Sequence, residues 1–159
     1  MLAVQPQPGK KSRLNLLLSE AEDTGTRWAD LMPRLLEPLG VHSLRAHSGE
    51  EAASFIRREP IHLAVVDLAV PLSTPRPGQT SVEPGGVRIL QLLSRLETPP
   101  PTVIVRRRQP NRTSDRQLIN ALQAGAFSVV DQPVDLELLL ETLRRALRRF
   151  YKDAWPESG

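Results

Sequence analysis

The sequence contains no cysteine, so its stability does not depend on disulfide bonds. None are needed, because a single domain of 159 residues buries roughly two-thirds of its unfolded surface. No apolar run approaches the ~20 residues of a membrane-spanning helix. Residues 1–13 also lack the apolar centre of a signal peptide. We therefore expect one soluble, cytoplasmic domain.

Recognisable catalytic motifs are missing as well. The sequence has no glycine-rich phosphate loop and no Ser-His-Asp or metal-ligand spacing. Its histidines, His42, His47 and His62, are scattered, and we interpret them as ordinary surface or core residues. The pattern does not predict an enzyme.

The charge is basic, with a net charge of +3 and a pI of about 9.9. Arginine greatly outnumbers lysine, and together with 15 prolines this is also typical of a GC-rich genome. Charge alone therefore does not predict nucleic-acid binding, and a basic nucleic-acid-binding module is the last of our three functional interpretations.

One apolar, β-branched run, Ile61 to Val66, ends abruptly on Asp67. Such a run between turn residues is typical of a strand buried on both faces of a parallel sheet. Ligands bind at the carboxyl ends of such strands, so Asp67 is a candidate site residue. The alternative is that Asp67 only caps the following loop.

Strands and helices alternate along the chain. The predicted strands are 14–18, 41–47, 61–66, 102–105 and 127–130, and the predicted helices are 26–39, 48–58, 87–96, 114–124 and 135–150. This order predicts an α/β, flavodoxin-like (βα)5 fold, a doubly wound five-stranded parallel sheet with strand order 2-1-3-4-5. The carboxyl edge of that sheet would bring together residues 19–23, Asp67, Arg106 and residues 131–132.

The domain boundaries follow from composition. Residues 1–12 show no periodicity and are predicted to be a disordered lead-in, residues 13–152 form the domain, and residues 153–159 are a tail. A Pro-rich and Gly-rich insertion, residues 71–86, begins four residues after Asp67. We expect a disordered surface insertion there, with a lid or a partner-docking loop as the alternative.

Two motifs resemble the receiver domain of response regulators in two-component phosphorelays. Residues 65–71, VVDLAVP, are similar to the strand-ending phosphoacceptor signature. Residues 124–133, AGAFSVVDQP, are similar to the fifth strand and Lys-Pro turn of that family. The resemblance covers residues 14–150 and implies the same fold.

The resemblance also implies roles at the site. Asp67 matches the phosphoacceptor, and the carbonyl of Ala69 matches the backbone ligand of Mg²⁺. The usual pair of acids after strand 1 is reduced to Glu20-Ala21 or, one residue earlier, Ser19-Glu20, and we prefer the first register. Glu22 or Asp23 could substitute for the missing acid. Thus Mg²⁺ binding, if any, should be weak, and no cofactor is expected.

Three further positions depart from the family pattern. Arg106 replaces a Thr or Ser after strand 4, Gln132 replaces the lysine before the proline, and Val129 replaces an aromatic residue that switches conformation. Because Gln132 brings no charge, phosphorylation of Asp67 should be weak. We hypothesise that Arg106 pairs with Asp67 and holds it in one state, the alternative being an Arg106 that points to solvent.

The resemblance places a partner or homodimer surface on helix 4, strand 5 and the last helix. Its predicted residues are Arg107, Arg108, Arg112, Arg116, Val129, Arg145 and Arg149, with a solvated basic face as the alternative. Tyr151 and Trp155 are expected to be exposed near it.

The function predicted first is a stand-alone, phosphorylation-independent pseudo-receiver that contacts a histidine kinase or a downstream effector. The second is a functional aspartyl-phosphate receiver with a degraded Mg²⁺ site, whose only catalysis would be self-phosphorylation at Asp67. The two differ in whether a phosphodonor modifies Asp67 in the presence of Mg²⁺.

Overall fold

The computed structural model describes residues 14–21, 27–74, 76–78, 83–107, 116, 119, 123 and 125–151. The strands are β1 (Leu14–Ser19), β2 (Val41–Ala46), β3 (Leu63–Asp67), β4 (Thr102–Arg107) and β5 (Ser128–Gln132). The helices are α1 (Arg27–Leu36), α2 (Gly49–Arg58), α3 (Gly86–Ser94) and α4 (Leu136–Tyr151), and a 3-10 turn, Glu37–Leu39, follows α1.

The predicted lead-in, residues 1–12, and the predicted tail, residues 153–159, lie outside the described residues. Of the predicted helix 114–124, only residues 116, 119 and 123 are described, and each is helical. Among the helices that the structure describes, none has both the length and the apolar character required to cross a membrane.

All five strands are parallel, in the order β2-β1-β3-β4-β5. This order confirms the predicted flavodoxin-like topology. The strands β4 and β5 are longer at their carboxyl ends than predicted, so Arg106 and Gln132 lie within strands rather than in loops.

Side chains alternate between two apolar layers on opposite faces of the sheet. One layer contains Val65, Val103 and Val105 with residues of α1 and α4. The other contains Val66 and Ile104 with residues of α2 and α3. Because successive strand residues point to opposite faces, this alternation determines which carboxyl-edge side chains can meet.

The insertion is anchored at both ends, which corrects the expectation of a wholly disordered segment. Pro71 and Pro84 form an antiparallel bridge, and the Leu72 amide donates to the Glu83 carbonyl at 2.7 Å. The amide of Gly49, the first residue of α2, donates to the Pro71 carbonyl at 2.7 Å. These bonds satisfy backbone groups that a free loop would leave to water, so the base of the insertion is part of the fold.

The insertion returns to α3 through Gly86, which packs directly on the loop after Asp67. A Cβ atom on Gly86 would lie 2.6 Å from the Cα atom of Leu68 and 3.1 Å from the Asp67 carbonyl oxygen. Only a residue without a side chain allows this approach.

Tyr151, predicted to be exposed, is instead half-buried at the end of α4. Its hydroxyl donates to the His62 carbonyl at 2.6 Å, and its ring packs edge-on against the His62 ring. Burial raises the pKa of this hydroxyl. Tyr151 therefore ties α4 to the start of β3, and its predicted partner in an exposed pair, Trp155, lies outside the described residues.

Candidate functional site

Asp67 ends the central strand β3, and only 2% of its surface is exposed. Its Oδ1 accepts a hydrogen bond from the Ala69 amide at 2.9 Å, and its Oδ2 accepts one from the Ala21 amide at 3.5 Å. The bond from the Ala69 amide is the contact expected if Asp67 caps the following loop. Asp67 also lies at the carboxyl edge of the sheet, where the site was predicted.

Burial and two backbone amides set the electrostatics of Asp67. Burial raises the pKa of Asp67, and the amides of Ala69 and Ala21 lower it by a smaller amount. Within the described part of the chain, no basic side chain pairs with Asp67. Among the described residues, the carboxylate is therefore held by backbone amides alone.

The predicted pair between Arg106 and Asp67 is wrong. The Arg106 Nε donates instead to Asp131 Oδ1 at 2.8 Å. Arg106 and Asp131 are register partners on β4 and β5, so their side chains share a face. Asp67 pairs in register with Val105, one residue before Arg106, and therefore points to the opposite face of the sheet.

Glu20 follows β1 on the same face as Asp67, but its charge is neutralised elsewhere. Glu20 is buried, and its Oε1 accepts a hydrogen bond from Arg45 Nη2 of β2. The Nδ1 atom of His47 lies 3.8 Å from the same oxygen. Arg45 was not predicted as a site residue, because its role depends on the β1–β2 register, which periodicity does not give.

Ala21 is the residue whose backbone amide reaches Asp67. The side chain at this position is a methyl group, so it offers no ligand to a metal. The substitute acids, Glu22 and Asp23, lie outside the described residues.

The described residues do not fit a Mg²⁺ site. Mg²⁺ requires near-octahedral oxygen ligands, whereas no cluster of three acids or histidines that could hold a metal occurs in the ranges that the structure describes. One oxygen of Glu20 is already bonded to Arg45, which leaves Asp67 and the carbonyl of Ala69 as the other predicted ligands. We therefore derive no chemistry through a metal.

Gln132 ends β5, two residues after Val130, and so points to the same face as Asp67. It carries no charge there. Val129 is partly buried against the layer that contains Ile104, so it contributes to the core as well as to the predicted surface.

The predicted basic surface is described in part. Arg116, Arg145 and Arg149 are exposed. Arg108 and Arg112 lie outside the described residues, and of Arg107 only the backbone is described.

Comparisons with known proteins bear on the fold. No protein-family model matches the sequence, and no curated protein matches it. Solved structures do match, and one of them is a CheY-like response regulator receiver domain from Methanospirillum hungatei. The two chains are 21% identical with a TM-score of 0.68, and the alignment covers 89% of this chain and 99% of that one.

Two bacterial structures give the same result. A response regulator receiver protein from Pseudomonas putida is 18% identical with a TM-score of 0.61, and the alignment covers 84% of this chain and 97% of that one. A response regulator from Thermotoga maritima is 21% identical with a TM-score of 0.59, covering 84% and 98%. The chain therefore has the fold of response regulator receiver domains over most of its length.

Proposed function

We propose that this chain is a receiver-like signalling domain of the cytoplasm that acts through protein contacts and does not depend on phosphorylation of Asp67. The observation that carries the proposal is the environment of Asp67. Its carboxylate is 2% exposed and is bonded to two backbone amides, with no cationic partner among the described side chains.

The physical argument concerns the charge of the product. A phosphoryl group on Asp67 would add negative charge in a buried place, and phosphoryl transfer requires cations to stabilise this charge. The two arginines that the structure places in nearby strands, Arg45 and Arg106, are bonded to Glu20 and Asp131 instead. Gln132 adds a neutral amide where the receiver pattern has a lysine.

Incubation with acetyl phosphate and Mg²⁺, followed by intact-mass spectrometry, tests this proposal. We expect no phosphoryl adduct on the folded wild type, which should match an Asp67→Ala control. An adduct that is present in the wild type and absent from the control would contradict the proposal.

A second candidate function is favoured by one observation. Asp67 ends the central strand of a receiver fold, which is the position of a phosphoacceptor. A functional aspartyl-phosphate receiver would give the phosphoryl adduct described above. It would form that adduct by transferring the phosphoryl group from the donor to its own Asp67. We rank this function second because the described residues around Asp67 do not fit a Mg²⁺ site.

The partner surface proposed for the first function includes α4. Residues 102–152 contain ten of the 21 basic residues but only five of the 18 acidic ones, so the excess positive charge lies in this part of the sequence. Arg144, Arg145 and Arg149 are exposed on α4, and none of them forms an ion pair within the described residues. A histidine kinase, a downstream effector or a second copy of the chain could contact this face.

Charge reversal tests the homodimer form of this surface. We expect the wild type to sediment as a dimer and Arg145→Glu/Arg149→Glu to sediment as a monomer. The matched control is Arg57→Glu/Arg58→Glu, which reverses two exposed arginines in the last turn of α2. A monomeric wild type, or equal effects of the two double variants, would contradict a dimer through α4.

A further inference from the structure

Glu20, one of the predicted metal ligands, is bonded to a cationic side chain of the same protein. Glu20 Oε1 accepts a hydrogen bond from Arg45 Nη2, and the same nitrogen lies 3.1 Å from Asp30 Oδ1 of α1. The guanidinium thus joins a buried carboxylate to an exposed one, since the side chains of Glu20 and Asp30 are 3% and 68% exposed.

The register of the two strands explains why these residues meet. Leu18 pairs with Arg45 and Ser19 with Ala46, and the Glu20 amide continues the ladder by donating to the Ala46 carbonyl at 3.1 Å. Leu18 faces the layer that contains α1, so its register partner Arg45 faces the same layer. Glu20, two residues after Leu18, points to that layer as well.

The pair satisfies the charge of Glu20 but leaves polar atoms unused. Glu20 Oε2 and Arg45 Nε are buried, and neither has a hydrogen-bond partner among the residues that the structure describes. Burying a carboxylate as an anion is costly unless a cation or hydrogen-bond donors compensate its charge. Arginine stays protonated at all ordinary pH values, so this cation is always present.

A divalent cation approaching Glu20 would meet a guanidinium already bonded to the carboxylate. Like charges at contact distance repel strongly in a partly buried site. Binding of the metal would also require the Arg45 bonds to both Glu20 and Asp30 to break. The arrangement therefore opposes metal binding more strongly than a missing acid alone would.

We propose that the guanidinium of Arg45 occupies the cation position beside Glu20 and excludes divalent metals from this edge of the sheet. The inference rests on the proposed function, and it assigns to Arg45 the role of keeping metal away from Glu20. Arg45 acts here through Glu20, as a positioning residue, and not on any substrate.

Mn²⁺ binding by the full chain tests the inference, with isothermal titration calorimetry as the measurement. We expect no binding to the wild type at millimolar Mn²⁺. Arg45→Met keeps the apolar stem and removes the charge, and we expect its affinity for Mn²⁺ to be at least about tenfold higher. The gain should disappear in Glu20→Gln/Arg45→Met, which shows that Glu20 is the ligand.

Arg58→Met is the matched control. Arg58 is an exposed arginine that packs over the Phe55 ring and forms no salt bridge within the described residues. Its removal should leave Mn²⁺ affinity unchanged. A folded Arg45→Met that gains no affinity, or gains as little as Arg58→Met, would overturn the inference.

If Arg45→Met does not fold, NMR of the wild type with Mn²⁺ tests the inference instead. Mn²⁺ broadens the NMR signals of nearby nuclei, and we expect no selective broadening of the Ala21 and Asp67 amide signals. Selective broadening at these amides would overturn the inference. A wild type that binds Mn²⁺ but takes no phosphoryl group from acetyl phosphate would overturn this inference and leave the proposed function standing.

Discussion

The flanks and the centre of the carboxyl edge differ in how they hold their charges. On one flank Arg45 of β2 pairs with Glu20 after β1, and on the other Arg106 of β4 pairs with Asp131 of β5. In the centre, Asp67 of β3 is bonded to backbone amides alone among the described residues. Both arginines of this edge whose side chains the structure describes are thus bonded to acids other than Asp67.

The difference shows that the identity of residues at a sheet edge does not determine their pairing. Each flank pair joins side chains on one face, since alternation and register bring them together. Substitutions at the flanks and the centre should therefore have separable effects, and we order them by expected size.

Arg45→Met should cause the largest loss. It leaves the buried carboxylate of Glu20 without a cation, and removing one partner of a buried pair costs about 3–5 kcal/mol. Because the Arg45 side chain is 34% exposed, we expect about 2–3 kcal/mol, measured as the free energy of unfolding in urea. Asp30→Asn removes only the exposed partner of Arg45. If both variants lost the same free energy of unfolding, the buried pair with Glu20 would not be the main contribution of Arg45.

Gly86→Ala should destabilise the loop beside Asp67 through a steric clash, without changing any charge. The added Cβ would lie 2.6 Å from the Cα atom of Leu68, so the loop after Asp67 must shift. We expect a loss of about 1–3 kcal/mol in urea unfolding, the usual cost of overpacking. The neighbouring Val87→Ala, at a residue that is 47% exposed, is the control and should be close to neutral. Equal stability of the two variants would show that the loop tolerates displacement.

Arg106→Gln should cost less than Arg45→Met, because the second flank pair is more exposed. The Asp131 side chain is 39% exposed, so its unpaired carboxylate can be hydrated. We expect a loss of about 1 kcal/mol in urea unfolding. A loss as large as that of Arg45→Met would mean that the two flanks do not differ in burial as described.

Asp67→Asn should have the smallest effect and the opposite sign. Burial raises the pKa of Asp67 in the folded state, so the folded protein binds a proton more readily than the unfolded one. The charged form therefore costs stability above the raised pKa, and this cost disappears as the pH falls below the ordinary value. We expect Tm to rise by about 1–2 degrees at pH 7 and the gain to vanish in acid. A lower Tm at pH 7 would indicate a stabilising cation.

Much of the fold could be predicted from the sequence. The apolar run before Asp67 and the alternation of strands and helices predict the parallel sheet and its order, since few topologies satisfy right-handed crossovers. The Ser48 cap is an example of local chemistry that predicts structure, because its Oγ accepts from the Glu51 amide as the Ser-x-x-Glu spacing indicates.

The site was predicted less well, for physical reasons. Ending strand 4 at Val105 made Arg106 a loop residue free to reach Asp67, whereas in the longer strand its direction is set by alternation. Arg45 gave no signal, because its partner depends on register between two strands. The anchored base of the insertion depends on backbone hydrogen bonds of Pro71 and Leu72, which composition does not reveal.

The central claim is that no cationic side chain among the described residues pairs with Asp67, and the pKa of its carboxyl group tests this claim most directly. NMR titration of the Asp67 side-chain carboxyl carbon would measure it, with and without Mg²⁺. The account predicts a pKa above the ordinary aspartate value of about 3.9, unchanged by Mg²⁺. A pKa below the ordinary value, or one that Mg²⁺ lowers, would contradict it.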